Sequence, residues 1–355
     1  MAKSNILGID LAKNIFHVCE MNPEGRVLRR ERLSREQLST WVVKHFQGVI
    51  AMEACGGSHY WARLFEGFGY EVRVIAAQFV KPFVKSNKND KIDAEAICEA
   101  ASRPQMRFVS TRSEEQQDIQ SIHRARERLV HNRTALANEI RGLLLEYGIV
   151  LAKGITHIRN EIHGILETKR AEHSSLWHKI FLGLYEEFCD IDSRIEEYDR
   201  ELKAIVHTNE VCIRLEKIPG VGTKTATAIF AAVGDAGAFR NGRQFAAWLG
   251  LVPSQHSTGG KQSLGRISKR GDPYIRRLLV LGARSVAIAE ERKRNHKDPG
   301  KRVINRTGQW LFDVAARRGG NRAVVALANK TARRVWVVLR GEDFKQPEEL
   351  LSLAA

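Results

Sequence analysis

The chain has 355 residues, more than one compact core holds, so two or three domains are expected. A composition of 43% hydrophobic and 28% charged residues excludes a disordered chain, and no apolar run is long enough to span a bilayer. The formal net charge of +16 is unevenly spread: residues 255–340 hold 21 Lys+Arg against 5 Asp+Glu, and removing these from the totals of 57 and 41 leaves 36 of each sign elsewhere.

Residues 5–11, Asn-Ile-Leu-Gly-Ile-Asp-Leu, read as a buried strand. Strands at Ile15–Met21 and Arg26–Leu33 follow, joined by an Asn22-Pro23-Glu24-Gly25 hairpin turn. Ser34 is placed to cap a helix running to His45, with Glu36 and Gln37 close behind it. Residues 48–53 make a fourth strand, a helix near Tyr60–Phe68 stops at Gly69, and Glu71–Ile75 makes a fifth strand. Three strands in meander, then two separated by a helix, is the order of a ribonuclease-H-like mixed sheet covered on both faces, assigned to residues 1–105.

From Glu114 to Tyr147 and again from Ser174 to Val206, apolar residues recur at helical spacing. Two long amphipathic helices joined by a polar connector predict a coiled-coil hairpin over 106–209, serving as a spacer or an oligomerisation arm. Residues 210–345 are read as a third, mostly helical domain, with 346–355 as a tail. Its Ile218-Pro219-Gly220-Val221-Gly222 stretch precedes a helix, Pro253–Gly271 reads as a polar Gly-rich loop, and basic helices follow from Pro273. The fold class is thus α/β followed by α. An excess of cations confined to this last domain points to a polyanionic partner, held by phosphate neutralisation and counterion release.

The cysteines, Cys19, Cys55, Cys98, Cys189 and Cys212, are odd in number and form no Cys-x-x-Cys pair, which argues against a zinc site or a disulfide framework. With no signal peptide recognised, a soluble, cytoplasmic protein that does not engage a membrane is expected.

Asp90 and Asp93 stand three residues apart where a helix-forming segment begins, so both carboxylates share one helix face. Asp10 and Glu53 end predicted strands upstream. Four such carboxylates suit divalent-metal phosphoryl transfer: magnesium takes oxygen ligands, with manganese expected to substitute. Two ions about 3.5–4 Å apart can stabilise attacking and leaving oxygens together. The Pro-Gly turn resembles a helix-hairpin-helix element: Gly220 and Gly222 allow close approach, the next helix offers free amides to a phosphate, and Lys224 adds charge. Ser257 and Thr258 lie among glycines near Lys261, Arg266, Lys269 and Arg270, a setting for a serine nucleophile or for a simple phosphate-binding loop. His256 is one candidate to accept the serine proton. Arg276 and Arg277, on the first basic helix, are further candidate backbone contacts.

The succession Gly-Ile-Asp-x-Ala-Lys, Met-Glu-Ala-Cys-Gly and Asn-Asp-x-x-Asp-Ala resembles the DEDD transposases of the insertion sequence 110 family. So do the later Ile-Pro-Gly-Val-Gly, Gly-Leu-Val-Pro and Ile-Ser-Lys-Arg-Gly-Asp blocks, and Gln-His-Ser-Thr-Gly-Gly-Lys is similar to the 1111 subgroup. The resemblance covers Ile6 to about Val338 and is weakest in the middle. It implies a RuvC-like domain whose Asp, Glu, Asp, Asp quartet corresponds to Asp10, Glu53, Asp90 and Asp93 and holds magnesium. It also implies a second catalytic domain with a serine that becomes linked to DNA, a multimer in which the two domains meet between protomers, and a non-coding bridge or seeker RNA that pairs with donor and target DNA. An ungapped match puts Thr258 at the nucleophile position, whereas the family's nucleophile is serine; the assignment goes to Ser257 with a one-residue shift. The expected activity is magnesium-dependent, RNA-guided transposition or site-specific recombination through a seryl-DNA intermediate. The alternatives are a RuvC-like hydrolytic junction endonuclease, or a non-catalytic nucleic-acid-binding protein in which the acids are structural.

Overall fold

The computed structural model describes residues 4–84, 90–259, 261–298 and 304–342, and of Asp90 and Lys91 the helical backbone alone. The chain divides into two compact units, one of Met1–Gln116 with Ala232–Ala238 and one of Gln117–Ala231 with Phe239–Ala355.

The first unit runs β1 (Ile6–Asp10), β2 (Ile15–Met21), β3 (Val27–Ser34), α1 (Arg35–His45), β4 (Val49–Glu53), α2 (Ser58–Gly67), β5 (Glu71–Ile75), a short α3 (Ala77–Val80), α4 (Asp90–Ala101) and β6 (Phe108–Val109). Six strands form one sheet in the order β3-β2-β1-β4-β5-β6. The β1–β4 and β4–β5 pairs are parallel and the others antiparallel. Strands this apolar need cover on both faces, and they have it. Leu7, Ile9, Phe16, Ile50 and Met52 pack against Leu38 and Val42 of α1 and Trp61 and Phe65 of α2. Ile6, Val49 and Ala51 pack on the other face against Ala94, Ile97 and Ala101 of α4. Ser34 caps α1 in a capping box with Gln37, as its spacing predicts. The edge strand β6 goes unread in the sequence, because two residues carry no periodicity.

The second unit takes in most of α5 (Glu114–Leu145), then α6 (Ile155–Thr168), α7 (Ser175–Thr208), α8 (Glu210–Glu216) and α9 (Thr223–Ala232). The expected polar connector between two long helices is itself a helix: α6 buries Ile158, Ile162 and Leu166, one stripe at four-residue spacing. The long helices run antiparallel, since Arg126 pairs with Asp199 and, two turns further along α5, Arg133 pairs with Asp192. Asp192 also accepts from Arg159 Nε at 2.7 Å, so one buried carboxylate joins α5, α6 and α7.

Beyond these come α10 (Gly242–Trp248), β7 (Pro253–Thr258), β8 (Lys261–Ile267), α11 (Pro273–Arg294), α12 (Arg306–Arg318) and α13 (Gly320–Leu339). The stretch expected as a loop over 253–271 is largely an antiparallel hairpin. Its hydroxyl and amide residues alternate faces without an apolar partner set, so the period-two signal of a half-buried strand is missing from the sequence. All five cysteines are free. Among the described residues no helix is long and apolar enough to cross a membrane.

Candidate active site and nucleic-acid interface

Asp10 and Glu53 follow directly on Ile9 and Met52, the last paired residues of the parallel β1–β4 ladder. They therefore end adjacent strands side by side. Alternation puts Asp10 on the face of Ile6 and Gly8, and Glu53 on the face of Val49 and Ala51, which is the face α4 covers. Both are partly exposed. Their negative charge is felt nearby: desolvation first, then Glu53 and Asp10, push the Cys55 thiol above its ordinary range.

Gly8 sets how α4 lies. A Cβ there would meet Ala94 O at 2.3 Å and Cys98 Sγ at 2.7 Å, so the helix touches β1 backbone to backbone. Gly8 N donates to Cys98 Sγ at 3.0 Å, and Cys98 Sγ lies 3.6 Å from Ile6 O. Passing from Cys98 beside Ile6 to Ala94 beside Gly8, the helix climbs toward the carboxyl end of β1. Its first turn, with Asp90 and Asp93, thus begins at the end where Asp10 and Glu53 stand. Asp93 is partly buried, and the Asp90 side chain lies outside the described residues. Glu95, two residues beyond Asp93, holds Arg30 of β3 at 2.6 Å, which raises the guanidinium pKa further. Among the described residues no three of His, Cys, Asp and Glu are grouped closely enough to hold a metal ion.

Ser257 stands exposed on β7, where Gln255 Nε2 donates to its Oγ at 2.8 Å. The register places Gln262 opposite Ser257, and Lys261 opposite Thr258. Since neighbouring residues face opposite ways, Ser257 shares its face with Gln255 and Gln262, whereas Thr258 shares its face with His256 and Lys261. His256 is therefore not on the serine's face. Gln255 is a neighbour that spacing alone does not reveal. Lys261, Arg266, Lys269 and Arg270 are exposed along this hairpin and at its base. The base is anchored by Ser268 N to Val252 O at 2.8 Å, and by Arg276 Nη1 to Leu249 O at 3.2 Å and Arg270 O at 2.9 Å. Arg276 thus supports the hairpin from within the fold. Arg277 pairs with Glu127 at 2.6 Å and lies over the Tyr274 ring.

In the Pro-Gly turn, Gly220 has φ +87° and packs against Gly282 of α11. A Cβ on Gly282 would stand 1.8 Å from Gly220 O, while one on Gly222 would meet nothing within 4 Å. Gly220 serves the packing, and Gly222 leaves the start of α9 open. Lys224 Nζ lies 3.1 Å from Asp199 Oδ2, and Asp199 also takes Arg126. Asp199 lines a cavity of about 690 Å³ with Gly220–Thr225, Leu278 and Gly282.

Two family models match the chain. One, for the DEDD transposase of IS110 and described as "Transposase", covers residues 7–149; the other, "Transposase IS116/IS110/IS902 family", covers 212–297. The chain is 43% identical over 343 residues to the transposase for insertion sequence element IS1111A of Coxiella burnetii, covering 97% of this chain and 92% of that one. It is 44% identical over 342 residues to a probable family 20 transposase of Pseudomonas aeruginosa, covering 96% and 98%. The chain belongs to the IS110 family of insertion-sequence transposases. The transposase for IS1328 of Yersinia enterocolitica is similar at 41% over 95% of this chain and 97% of its own. In this transposase the first matched segment holds all four acids, and the second holds the Pro-Gly turn, the serine hairpin and α11.

Proposed function

We propose that this transposase cuts and rejoins DNA with a divalent cation held by Asp10, Glu53, Asp90 and Asp93, and through a covalent link to Ser257. The observation that carries the reading is that Asp10 and Glu53 directly follow the last paired residues of the adjacent strands β1 and β4, on the face and at the end where α4 begins. Carboxylates supplied by two strand ends and a helix start suit a hard, oxygen-seeking ion, magnesium or its substitute manganese. When bound, such an ion polarises the scissile phosphate and offsets charge developing on it. The sheet order and its mixed pairing support a ribonuclease-H-like, RuvC-like domain over 1–105. The antiparallel helices support a coiled-coil oligomerisation arm over 106–209, and 210–345 forms the second catalytic domain.

In the exchange, Ser257 Oγ bonds to phosphorus as the bond to one DNA oxygen breaks, and the hydroxyl proton ends on the released strand. A hydroxyl from another strand then attacks, Oγ leaves and regains a proton, and the phosphodiester energy is kept without ATP. Gln255 orients Oγ by its donated hydrogen bond. Lys261, Arg266, Lys269 and Arg270 neutralise phosphate, and the start of α9 with Gly222 and Lys224 grips backbone without reading bases. A non-coding RNA from the element would pair with donor and target DNA, and the protein would act as a dimer or tetramer.

The test is a denaturing-gel assay for protein–DNA adducts with magnesium, the flanking RNA and labelled recombination-site DNA. An adduct lost in Ser257→Ala and kept in Thr258→Ala is expected; the reverse moves the nucleophile by one residue. Free cleaved strands with no adduct would establish hydrolysis and overturn the seryl step. Asp10→Asn, or chelation of the metal, should abolish cleavage and leave DNA binding intact. Cleavage that survives either would remove the quartet from the mechanism.

A further inference from the structure

The turn after β1 and the starts of α1 and α2 meet at the sheet end that carries Asp10 and Glu53. The turn 11–14 leaves β1 directly after Asp10, and Arg35 N, at the start of α1, donates to Asn14 O at 2.9 Å. Helix α2 begins at Ser58, five residues after Glu53 closes β4. In its first turn Trp61 is buried edge-on against Phe16, with ring centres 5.2 Å apart, whereas Tyr60 beside it is 48% exposed. Arg35 Cζ lies 5.7 Å from the centre of the Tyr60 ring and 5.3 Å from that of Trp61. Its Nη1 donates to Lys13 O at 3.4 Å, and Lys13 and Arg35 are both exposed.

Packing does not account for this arrangement. Arg35 opens α1, the helix end at which a cation is unfavourable. A carbonyl and two ring faces hold its guanidinium plane in place without neutralising it, and among the described residues no carboxylate pairs with it. An exposed ring, a planar cation seated against it and a lysine on the adjoining turn are the parts that hold an unpaired nucleotide. The ring offers a face to the base, and the two cations meet the phosphate. Helices α1 and α2 cover one face of the sheet and α4 the other, so this ledge and the acids flank the same sheet end from opposite faces. A strand crossing the ends of β1 and β4 passes both.

We propose that the ledge of Tyr60, Arg35 and Lys13 takes one unpaired nucleotide of the DNA strand being cut, its base on the Tyr60 ring and its phosphate on the two cations. The proposal rests on the reading of Asp10 and Glu53 as part of the cleavage centre, and it names what holds the strand there. A duplex keeps the faces of its bases stacked on one another and offers the ring nothing. The ledge therefore selects single-stranded DNA, and it does so without reading sequence, because every base has a face to stack.

The experiment uses the full-length chain in magnesium buffer and a thymidine-rich DNA strand carrying one 2-aminopurine, whose fluorescence stacking quenches, offered alone or as a blunt duplex. Tyr60→Ala is compared with Tyr60→Phe, which keeps the ring, and with Phe68→Ala, which removes an exposed ring at the other end of α2. Tyr60→Ala should weaken single-strand binding about ten-fold, lose the quench and leave duplex binding unchanged, while the other two behave as wild type. Lys13→Gln/Arg35→Gln should lower the single-strand slope of log affinity against log salt by about 1.4, two contacts at about 0.7 each, and Lys13→Arg/Arg35→Lys should restore it. Equal single-strand affinity and quench in Tyr60→Ala and Phe68→Ala would overturn the ledge, and so would an equal loss on strand and duplex. A loss confined to a uridine-rich RNA strand would overturn the assignment to DNA. A ledge that binds as described in a protein that cuts no recombination-site DNA would refute the cleavage reading alone. Cutting by a protein whose Tyr60→Ala variant binds and cuts like wild type would refute the ledge alone.

Discussion

An added methyl at Gly282 would press into the Gly220 carbonyl, and one at Gly8 into the Ala94 carbonyl. The two clashes have different consequences. Gly282→Ala forces α11 off the Pro-Gly turn and should cost about 1–3 kcal/mol, read as a lower denaturant midpoint at unchanged slope. Gly8→Ala lifts α4 from β1, and with it the helix start that carries Asp93. Strand cleavage should therefore fall further than the melting temperature predicts, while nucleic-acid binding stays near wild type. His123 adds a pH dependence. Buried between Tyr274 Oη at 2.9 Å and Thr227 Oγ1 at 3.0 Å, its pKa is pushed down to about 4 by burial and then by Arg126. The unfolded chain takes up this proton near pH 6.5 and the folded chain only near 4. The stability held by neutral His123 is thus complete above 6.5 and lost progressively as pH falls to 4, of the order of 2–3 kcal/mol. Denaturant titrations across that window should show the decline, and His123→Gln should flatten it.

Among the polar contacts that join elements, Asp192 is the clearest. Its carboxylate takes Arg133 from α5 and Arg159 from α6, so Asp192→Asn leaves the largely buried Arg133 without its counter-charge. A loss of about 3 kcal/mol is expected by urea denaturation, with hydrogen exchange rising first in α6. The same helix shows where sequence reading stops. The strands at Ile15–Met21 and Glu71–Ile75 are legible because β-branched runs bounded by turn residues have one reading. The helix α6 hides because its stripe of Ile158, Ile162 and Leu166 sits among His, Arg, Asn and Glu, a composition shared by a polar linker. The serine hairpin hides for a different reason: it has no buried face to leave a pattern. Of the site, Asp10 and Glu53 are legible as strand-end acids, but that they end neighbouring strands follows from the β1–β4 register, a non-local pairing that spacing cannot carry. Nor does spacing reveal that Arg276 holds the hairpin base or that Arg277 is drawn to Glu127.

At the scale of the molecule the charge is divided along the chain, with the acids of the candidate quartet before residue 94 and the cationic excess after residue 254. Binding should therefore be strongly salt-dependent, and the dependence should belong to the second part. Replacing Lys261, Arg266, Lys269 and Arg270 by Gln should reduce the salt slope by about three to four, since each phosphate contact contributes about 0.9. Affinity should fall alike for all sequences in a filter-binding titration, because contacts of this kind do not read bases. An unchanged slope would mean that phosphates pass the hairpin by.

From Gln255 to Arg266 every described residue of the β7–β8 hairpin is exposed. A two-stranded ribbon with nothing beneath it is marginal in water, however firmly its base is tied. The tip of such a ribbon should open and close readily, and on the role proposed above a strand of DNA laid along it would close it. Were Ser257 the nucleophile proposed above, it would keep little standing geometry in the idle protein, and stray strands would meet a blunt serine. Readiness to react would then be acquired only with the substrate in place, and part of the binding energy would go into making the enzyme. Restraint between rounds would need no inhibitory segment, because it is built into the thinness of one hairpin.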